Sequence, residues 1–131
     1  MGSSFTSNLW LVGASQMAQD YAQVLNALQT PFKVIGRGKK NALAFESLTK
    51  IKVQTGGIEK ALQNETPPKY AIVAVGIEQL ASVSSKLLQA GTKRILLEKP
   101  GGMNLKELQN LQFETQSQEA DIWIAYNRRF Y

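Results

Sequence analysis

The sequence of 131 residues contains neither cysteine nor histidine. The lack of cysteine excludes disulfide bonds, thiolate nucleophiles and cysteine-based zinc sites. The lack of histidine removes the most common proton shuttle and metal ligand at neutral pH. Any proton transfer must therefore use lysine, tyrosine, aspartate or glutamate, and we expect no metal site.

Long hydrophobic runs are also missing from the sequence. No apolar segment approaches the roughly 20 residues that cross a bilayer, and residues 1–8 lack the charged start and apolar core of a signal peptide. We therefore expect a soluble, cytoplasmic protein without a membrane partner. Because 44% of the residues are hydrophobic and only 19% are charged, disorder is excluded as well.

The charge of the chain is moderately positive. Its 15 lysine and arginine residues against 10 acidic ones give a net charge of +5, which favours anionic partners. The basic residues are scattered and no aromatic platform is interleaved with them, so we expect no nucleic-acid binding. A phosphorylated small molecule is the anion that the sequence favours.

Short apolar runs alternate with amphipathic stretches, which is typical of βαβ units on a parallel sheet. The pattern predicts strands over residues 9–13, 32–36, 51–53, 70–75, 94–98 and 122–126, the third one weakly. It predicts helices over residues 17–28, 42–49, 57–63, 80–90 and 105–119, and Met17, Tyr21 and Leu25 belong to the apolar face of the first. No flexible linker divides the chain, so we count one domain, which is small for an enzyme that encloses both a cofactor and a substrate.

The first predicted strand runs directly into a glycine-containing turn and a helix. There Gly13, Ser15 and Ala18 form the pattern G-x-S-x-x-A, a degenerate version of G-x-G-x-x-G. Gly13 suits the tight turn, and the free amides at the helix start, with Gln16 and Met17 among them, suit a diphosphate. These observations favour a Rossmann-type, doubly wound α/β fold with a mainly parallel six-stranded sheet and helices on both faces. The same residues also suit a tight turn in a βαβ unit that binds no ligand.

The end of the second predicted strand carries basic residues and no carboxylate. In dinucleotide-binding folds this position faces the adenosine ribose, where an acidic residue binds the hydroxyls of NAD and arginine accommodates the 2′-phosphate of NADP. Arg37 offers a planar fork for phosphate oxygens, and Lys39 or Lys40 adds charge. We therefore favour NADP as the cofactor, with NAD as the alternative. A solvated basic turn without a ligand is the other interpretation.

Two ionisable residues, Glu98 and Lys99, stand at the end of the fifth predicted strand, directly before Pro100. Ligands of open α/β sheets bind at this carboxyl edge. A lysine there could donate a proton or a hydrogen bond to a substrate oxygen. A structural turn in which Lys99 pairs with Glu98 or points to water is the alternative.

Taken together, these segments resemble the glucose-fructose oxidoreductase/inositol dehydrogenase (Gfo/Idh/MocA) family of NAD(P)-dependent enzymes. The resemblance is carried by residues 13–18 (GASQMA), by residues 90–91 (AG) followed by 95–100 (ILLEKP), and by residues 125–130 (AYNRRF). It covers nearly the whole chain, and the last two blocks are specific when they occur together at this spacing. It implies that residues 1–131 form the N-terminal Rossmann domain and that the family's C-terminal substrate domain is absent from this chain.

The resemblance also implies roles for individual residues. Lys99 would be the catalytic lysine that contacts the reacting oxygen, and Glu98 would lie near the nicotinamide ribose. Val75 and Gly76 would lie in a loop that borders the cofactor, mainly through backbone contacts. Asn127 would lie near the nicotinamide end, where the family's two domains meet.

The implied activity of the parent enzyme is hydride transfer between the cofactor and a hydroxyl or carbonyl carbon of a sugar-like or cyclitol substrate. The chain alone lacks the groups that enclose such a substrate, so we expect cofactor binding with little or no turnover. A non-catalytic module that binds a dinucleotide or a nucleotide sugar is the alternative. Substrate identity and a homo-oligomeric state are left open, since family members often associate through the second domain.

Overall fold

The computed structural model describes residues 8–99 and 101–125, in which six strands alternate with five helices. The strands are β1 (Leu9–Val12), β2 (Lys33–Ile35), β3 (Val53–Gln54), β4 (Tyr70–Val73), β5 (Arg94–Glu98) and β6 (Asp121–Ala125). The helices are α1 (Gln16–Ala27), α2 (Lys39–Thr49), α3 (Gly57–Asn64), α4 (Ile77–Ala90) and α5 (Leu105–Ser117). The order of elements predicted from the hydrophobic pattern is confirmed.

The six strands form one sheet in the order β3-β2-β1-β4-β5-β6. Every strand pair within the described ranges is parallel, which confirms the predicted Rossmann-type sheet. The chain leaves β3 at one edge of the sheet and returns as β4 on the other side of β1. In open sheets of this kind, ligands bind at the carboxyl ends of the strands beside such a reversal. The carboxyl edge next to β1 is therefore where a site is expected.

Some elements begin elsewhere than the hydrophobic pattern predicts. α2 begins at Lys39 rather than at residue 42, because Gly38 caps it in an extended conformation and lysine is a good helix former. α4 begins at Ile77 rather than at residue 80, directly after its cap residue Gly76. β3 covers Val53–Gln54 rather than residues 51–53, since these are the residues that pair with the end of β2. Lys39 is thus the first residue of a helix and not part of a loop.

Helices cover both faces of the sheet, as predicted. The face covered by α1 and α2, named the α1 face below, buries Leu11, Ala18, Ala22, Val34, Ala42 and Phe45. The opposite face, covered by α3, α4 and α5, buries Trp10, Val12, Ile35, Val73, Leu87, Ile95 and Leu97. The helices are amphipathic, and none in the described part of the chain has the length and apolarity needed to cross a membrane.

The α1 face has less cover over the last strands than over the first. Ile122 in β6 packs against the core of the opposite face. Because successive strand residues point to opposite faces, Trp123 points to the α1 face, where it is 52% exposed. α1 is the described helix that reaches the end of β5 from this side, through the side chain of Tyr21.

Candidate functional site

The turn after β1 has room for glycine alone. The Gly13 amide donates to the Ile35 carbonyl at 2.8 Å, and the Ala74 amide donates to the Val12 carbonyl at 2.8 Å. Gly13 has a φ of +128°, and a Cβ there would lie 2.2 Å from the Ala74 carbonyl oxygen. The end of β1 therefore passes so close to the chain after β4 that a side chain would push them apart. This geometry fits the tight-turn role predicted for Gly13.

The start of α1 leaves this turn with its first amides available to a ligand. Ser15, the residue before the helix, is extended (φ −87°, ψ −175°), and its side chain makes no capping hydrogen bond. The first turn of α1 contains no acidic residue. Such amides carry partial positive charge and bind anions when no carboxylate occupies them.

The three residues predicted to bind a cofactor at this helix start contribute in different ways. Gln16 donates its side-chain amide to Asp20 at 3.3 Å, and Met17 packs against the core of the α1 face. Both residues therefore offer backbone amides, rather than side chains, to a ligand. The Ser15 side chain is exposed beside them, so its hydroxyl can bind the same anion.

The end of β2 is tied to the turn after β3. The Gly36 amide donates to the Gln54 carbonyl at 2.9 Å, and the Gly57 amide donates to the Gly36 carbonyl at 2.8 Å. The Gly56 amide donates to the Arg37 carbonyl at 3.2 Å. These bonds fix the backbone of Arg37, while its side chain stays exposed.

A cleft at the carboxyl edge joins these turns. Its walls come from the ends of β1 and β2, the start of α3, the loop after β4 and α4. It is lined by Val12, Gly13, Ile35, Gly36, Arg37, Gly57, Ile58, Glu59, Val75, Gln79, Ser82, Val83 and Lys86. Of the predicted site residues, the cleft brings together Gly13, Arg37 and Val75. The other predicted site residues that the structure describes lie outside its lining, and Lys39 is on the exposed first turn of α2; these others are Ser15, Gln16, Met17, Lys39, Gly76, Glu98 and Lys99.

The wall formed by α3 and α4 was not predicted from the sequence. In it, Lys86 donates to the Glu59 carboxylate, and the two form an ion pair. This hydrogen bond, the amide of Glu59 itself and the charge of Arg37 hold the pKa of the Glu59 carboxyl below its usual value. The pair Gly56-Gly57 is the sequence signal that could have marked this wall, since both glycines have positive φ where the chain enters α3.

The loop after β4 borders the same cleft. Val75 lines it, and Gly76 is exposed at the cap position of α4. The Gly76 carbonyl accepts a hydrogen bond from the Gln79 amide at 2.9 Å, which starts the helix. This placement suits the backbone contacts predicted for the loop.

The end of β5 lies at the same edge, on the other side of β1 and β4. The Gly101 amide donates to the Glu98 carbonyl at 3.0 Å, which closes a turn that contains Lys99. Lys99 is exposed, and Glu98 is half-buried. Pro100 and Asn127, which were also singled out in the sequence, lie outside the described residues.

A tyrosine on α1 holds the Glu98 side chain. The Tyr21 hydroxyl donates to Glu98 Oε2 at 2.5 Å, although the two residues are 77 positions apart. Burial raises the pKa of the Tyr21 phenol, and the hydrogen bond to Glu98 and the negative charge of its carboxylate raise it further. In the sequence, Tyr21 is one of several apolar positions on a helix face, so its contact with Glu98 was not predicted.

Several solved structures share this fold. The WlbA dehydrogenase from Bordetella pertussis, solved with NADH and UDP-GlcNAcA, has a TM-score of 0.75 at 12% identity, over 89% of this chain and 36% of its own. Biliverdin reductase from Synechocystis, solved with biliverdin and NADP+, has a TM-score of 0.71 at 19% identity, over 88% of this chain and 36% of its own. UDP-N-acetylglucosamine 3-dehydrogenase GnnA from Acidithiobacillus ferrooxidans has a TM-score of 0.71 at 16% identity, over 88% of this chain and 37% of its own. At these identities the likeness shows the fold, and the chain spans little more than a third of the length of these structures.

At the level of sequence, none of the curated proteins compared with the chain matches it. The model of the Gfo/Idh/MocA oxidoreductase family, described as an NAD-binding Rossmann fold, does match, over residues 8–126. This range contains the turn at Gly13, the end of β2 and the end of β5, so the resemblance drawn from the motifs is confirmed. The chain therefore belongs to the Gfo/Idh/MocA oxidoreductase family and contains its NAD-binding Rossmann domain.

Proposed function

We propose that the chain is the cofactor-binding domain of an oxidoreductase that uses NADP in preference to NAD. The observation that carries this proposal is the position of Arg37, which lines the same cleft as Lys86 at a strand end that has no carboxylate of its own. In this proposal residues 1–131 provide the dinucleotide site, and a second domain outside this chain provides most of the substrate site. The chain covers little more than a third of the length of its structural neighbours, which supports this division.

The dinucleotide would lie along the carboxyl edge, with its diphosphate at the start of α1. There the amides of Gln16 and Met17 and the hydroxyl of Ser15 bind phosphate oxygens. The residues of the cleft between the end of β2 and α4 would hold the adenosine half. Val75 and Gly76 would border the nicotinamide half on the side of β5, because β4 and β5 lie on the other side of β1.

Arg37 and Lys86 bind the 2′-phosphate in this arrangement. A guanidinium can donate two parallel hydrogen bonds to phosphate oxygens, and a nearby ammonium adds a second positive charge. Because Glu59 already binds Lys86, the phosphate competes with this carboxylate. Lys39, outside the cleft, contributes only its charge at a distance. WlbA was solved with NADH and biliverdin reductase with NADP+, so the fold accepts either cofactor and local residues decide between them.

A nicotinamide cofactor held by these residues would supply the hydride chemistry of the reaction. Glu98 accepts hydrogen bonds from the nicotinamide ribose, and Lys99 donates a hydrogen bond or a proton to the reacting oxygen of the substrate. Asn127 belongs to the same end of the site. The substrate class we propose is a sugar-like or cyclitol alcohol or ketone, in line with the UDP-GlcNAcA bound to WlbA and with the name of GnnA. We expect the chain alone to bind cofactor with little turnover, because it does not exclude water from the reacting carbon.

Calorimetric titration of the chain with NADPH, NADH and a UDP-sugar tests the proposal. We expect Arg37→Ala to weaken NADPH binding by about ten- to a hundredfold, since hydrogen bonds to charged groups contribute about 1.5–3 kcal/mol. NADH binding should change by less than about threefold, because NADH has no 2′-phosphate. Arg94→Ala is the matched control, since Arg94 is exposed at the opposite, amino end of β5.

Two results would contradict the proposal. Equal affinities for NADH and NADPH, or an unchanged NADPH affinity in Arg37→Ala, would contradict the choice of cofactor. Binding of the UDP-sugar without binding of either dinucleotide would contradict the dinucleotide site and favour a nucleotide-sugar-binding module.

A further inference from the structure

The hydrogen bond between Tyr21 and Glu98 joins two parts of the carboxyl edge that the sequence keeps far apart. Tyr21 lies in the second turn of α1, the helix whose start faces the diphosphate in the proposed function. Glu98 is the last residue of β5. The 2.5 Å bond joins α1, the helix that follows β1, to the end of β5, which lies beyond β4 in the sheet.

The alternation of side chains along β5 explains why the Glu98 carboxylate meets Tyr21. Ile95 and Leu97 point to the face covered by α3, α4 and α5, where they are fully buried. Glu98 therefore points to the α1 face. Over β5 that face has little helical cover among the described elements, so Tyr21 is the group that reaches the carboxylate.

We propose that Tyr21 is a positioning residue for the nicotinamide end of the site: its hydroxyl holds Glu98 Oε2 and leaves Oε1 to accept a hydroxyl of the nicotinamide ribose. This inference rests on the proposed function, because it requires a dinucleotide along the carboxyl edge. Tyr21 itself touches neither cofactor nor substrate in this arrangement.

The ordering of the Glu98 side chain and the protonation of the phenol both support this role. A free glutamate side chain has several rotamers and loses conformational entropy when a ligand orders it. The hydrogen bond to Tyr21 already orders the Glu98 side chain in part before the ligand binds, so that less conformational entropy is lost on binding. In addition, burial raises the pKa of the half-buried phenol above its usual value, so the hydroxyl remains a hydrogen-bond donor into the alkaline range.

The experiment compares two ligands that differ at the nicotinamide end. NADPH spans the whole edge, whereas adenosine 2′,5′-bisphosphate carries only the adenosine end. We expect Tyr21→Phe to weaken NADPH binding by about three- to tenfold, the range of one net hydrogen bond, and to leave bisphosphate binding unchanged. Tyr70→Phe is the control, because Tyr70 is the first residue of β4 and lies at the amino ends of the strands, away from the proposed site. This variant should affect neither ligand.

A second variant separates positioning from a general structural effect. Glu98→Ala should also weaken NADPH binding without affecting the bisphosphate, and in that background Tyr21→Phe should have no further effect. Equal weakening of both ligands by Tyr21→Phe, or losses that add in the double variant, would overturn the inference.

The proposed function and this inference fail in different ways. If the unmodified chain binds neither NADPH nor the bisphosphate, the proposed function falls and the inference falls with it. If the unmodified chain binds both and Tyr21→Phe binds NADPH with unchanged affinity, the inference alone is wrong.

Discussion

The two ends of the carboxyl edge are built differently. The end proposed to bind adenosine, called the adenosine end, is a cleft with walls from β2, α3 and α4, where Arg37 lies near the ion pair of Glu59 and Lys86. The end proposed to bind nicotinamide, called the nicotinamide end, is a strand end and a turn that contain Glu98 and Lys99. There a half-buried carboxylate is held by a neutral phenol from a helix near the other end.

We expect this difference to assign cofactor affinity mainly to one end and the reaction to the other. A cleft with fixed walls and two cations can bind the adenosine half by itself. Lys99, by contrast, is exposed in a turn, and in the proposed function its partner is the reacting oxygen of a substrate. We therefore expect the adenosine end to contribute most of the binding free energy, and the nicotinamide end to adjust it and to carry the reaction.

The largest effect on stability and binding is expected at Gly13, because both ends of the carboxyl edge share its turn. In Gly13→Ala, the positive φ alone costs about 1–3 kcal/mol, and the added Cβ collides with the Ala74 carbonyl. We expect the free energy of unfolding in urea to fall by at least about 3 kcal/mol, with loss of binding at both ends.

Gly38→Ala is the matched control for this prediction. A Cβ at Gly38 has no neighbour within 4 Å, and its φ is −107°. We expect this variant to lose less than about 1 kcal/mol of stability and to bind NADPH like the unmodified chain. Similar stability of the two alanine variants would contradict the close approach at Gly13.

A pH titration addresses the nicotinamide end alone. The pKa of Tyr21 is raised in the folded protein, so its contribution to stability is complete below about pH 10, the unfolded value, and is lost as the pH rises towards the folded value. We expect the stability advantage of the unmodified chain over Tyr21→Phe to shrink by up to about 1 kcal/mol between about pH 9 and pH 11.

Urea unfolding at each pH measures this difference directly. Tyr70→Phe should keep the alkaline loss that Tyr21→Phe removes, because it leaves the phenol beside Glu98 in place. Parallel pH profiles for the unmodified chain and Tyr21→Phe would show that this phenol does not titrate differently in the folded state.

A smaller effect is expected at the adenosine end alone. Glu59→Gln removes the carboxylate that pairs with Lys86 and lies near Arg37, so both cations become available to a 2′-phosphate. We expect NADPH binding to tighten by about threefold, because exposed ion pairs contribute less than about 1 kcal/mol, and NADH binding to change less.

Glu65→Gln provides the control, since Glu65 also pairs with a lysine, Lys33, but lies outside the cleft. Its NADPH affinity should equal that of the unmodified chain. Weaker NADPH binding in Glu59→Gln would mean that this carboxylate helps to bind the cofactor rather than competing with it.

The sequence predicted those parts of the fold and of the site that depend on neighbouring residues. The strand-turn-helix at Gly13 and the basic end of β2 at Arg37 can be read from a few consecutive residues, since their chemistry is local. Helix starts at Lys39 and Ile77 were missed because glycine caps, rather than apolar periodicity, set them. These errors moved Lys39 from a predicted loop to the exposed start of a helix.

The parts of the site that the sequence did not predict come from residues that meet only in the folded sheet. Glu59 and Lys86 are 27 positions apart, and Tyr21 and Glu98 are 77 apart. Each of these four residues is of a common type for its position in its own helix or strand, so no local sequence pattern marks it as part of a site. The carboxylate of Glu59 was not predicted at this cleft for the same reason, because Glu59 lies in α3 and not among the residues that follow β2.

The most direct test of the account compares binding of the two halves of the dinucleotide. Calorimetric titration of the chain with adenosine 2′,5′-bisphosphate and with nicotinamide mononucleotide addresses one end at a time. We predict that the bisphosphate binds with most of the affinity of NADPH and that the mononucleotide binds much more weakly. Tighter binding of the mononucleotide, or binding of neither half, would contradict the claim that this chain contains a complete adenosine end.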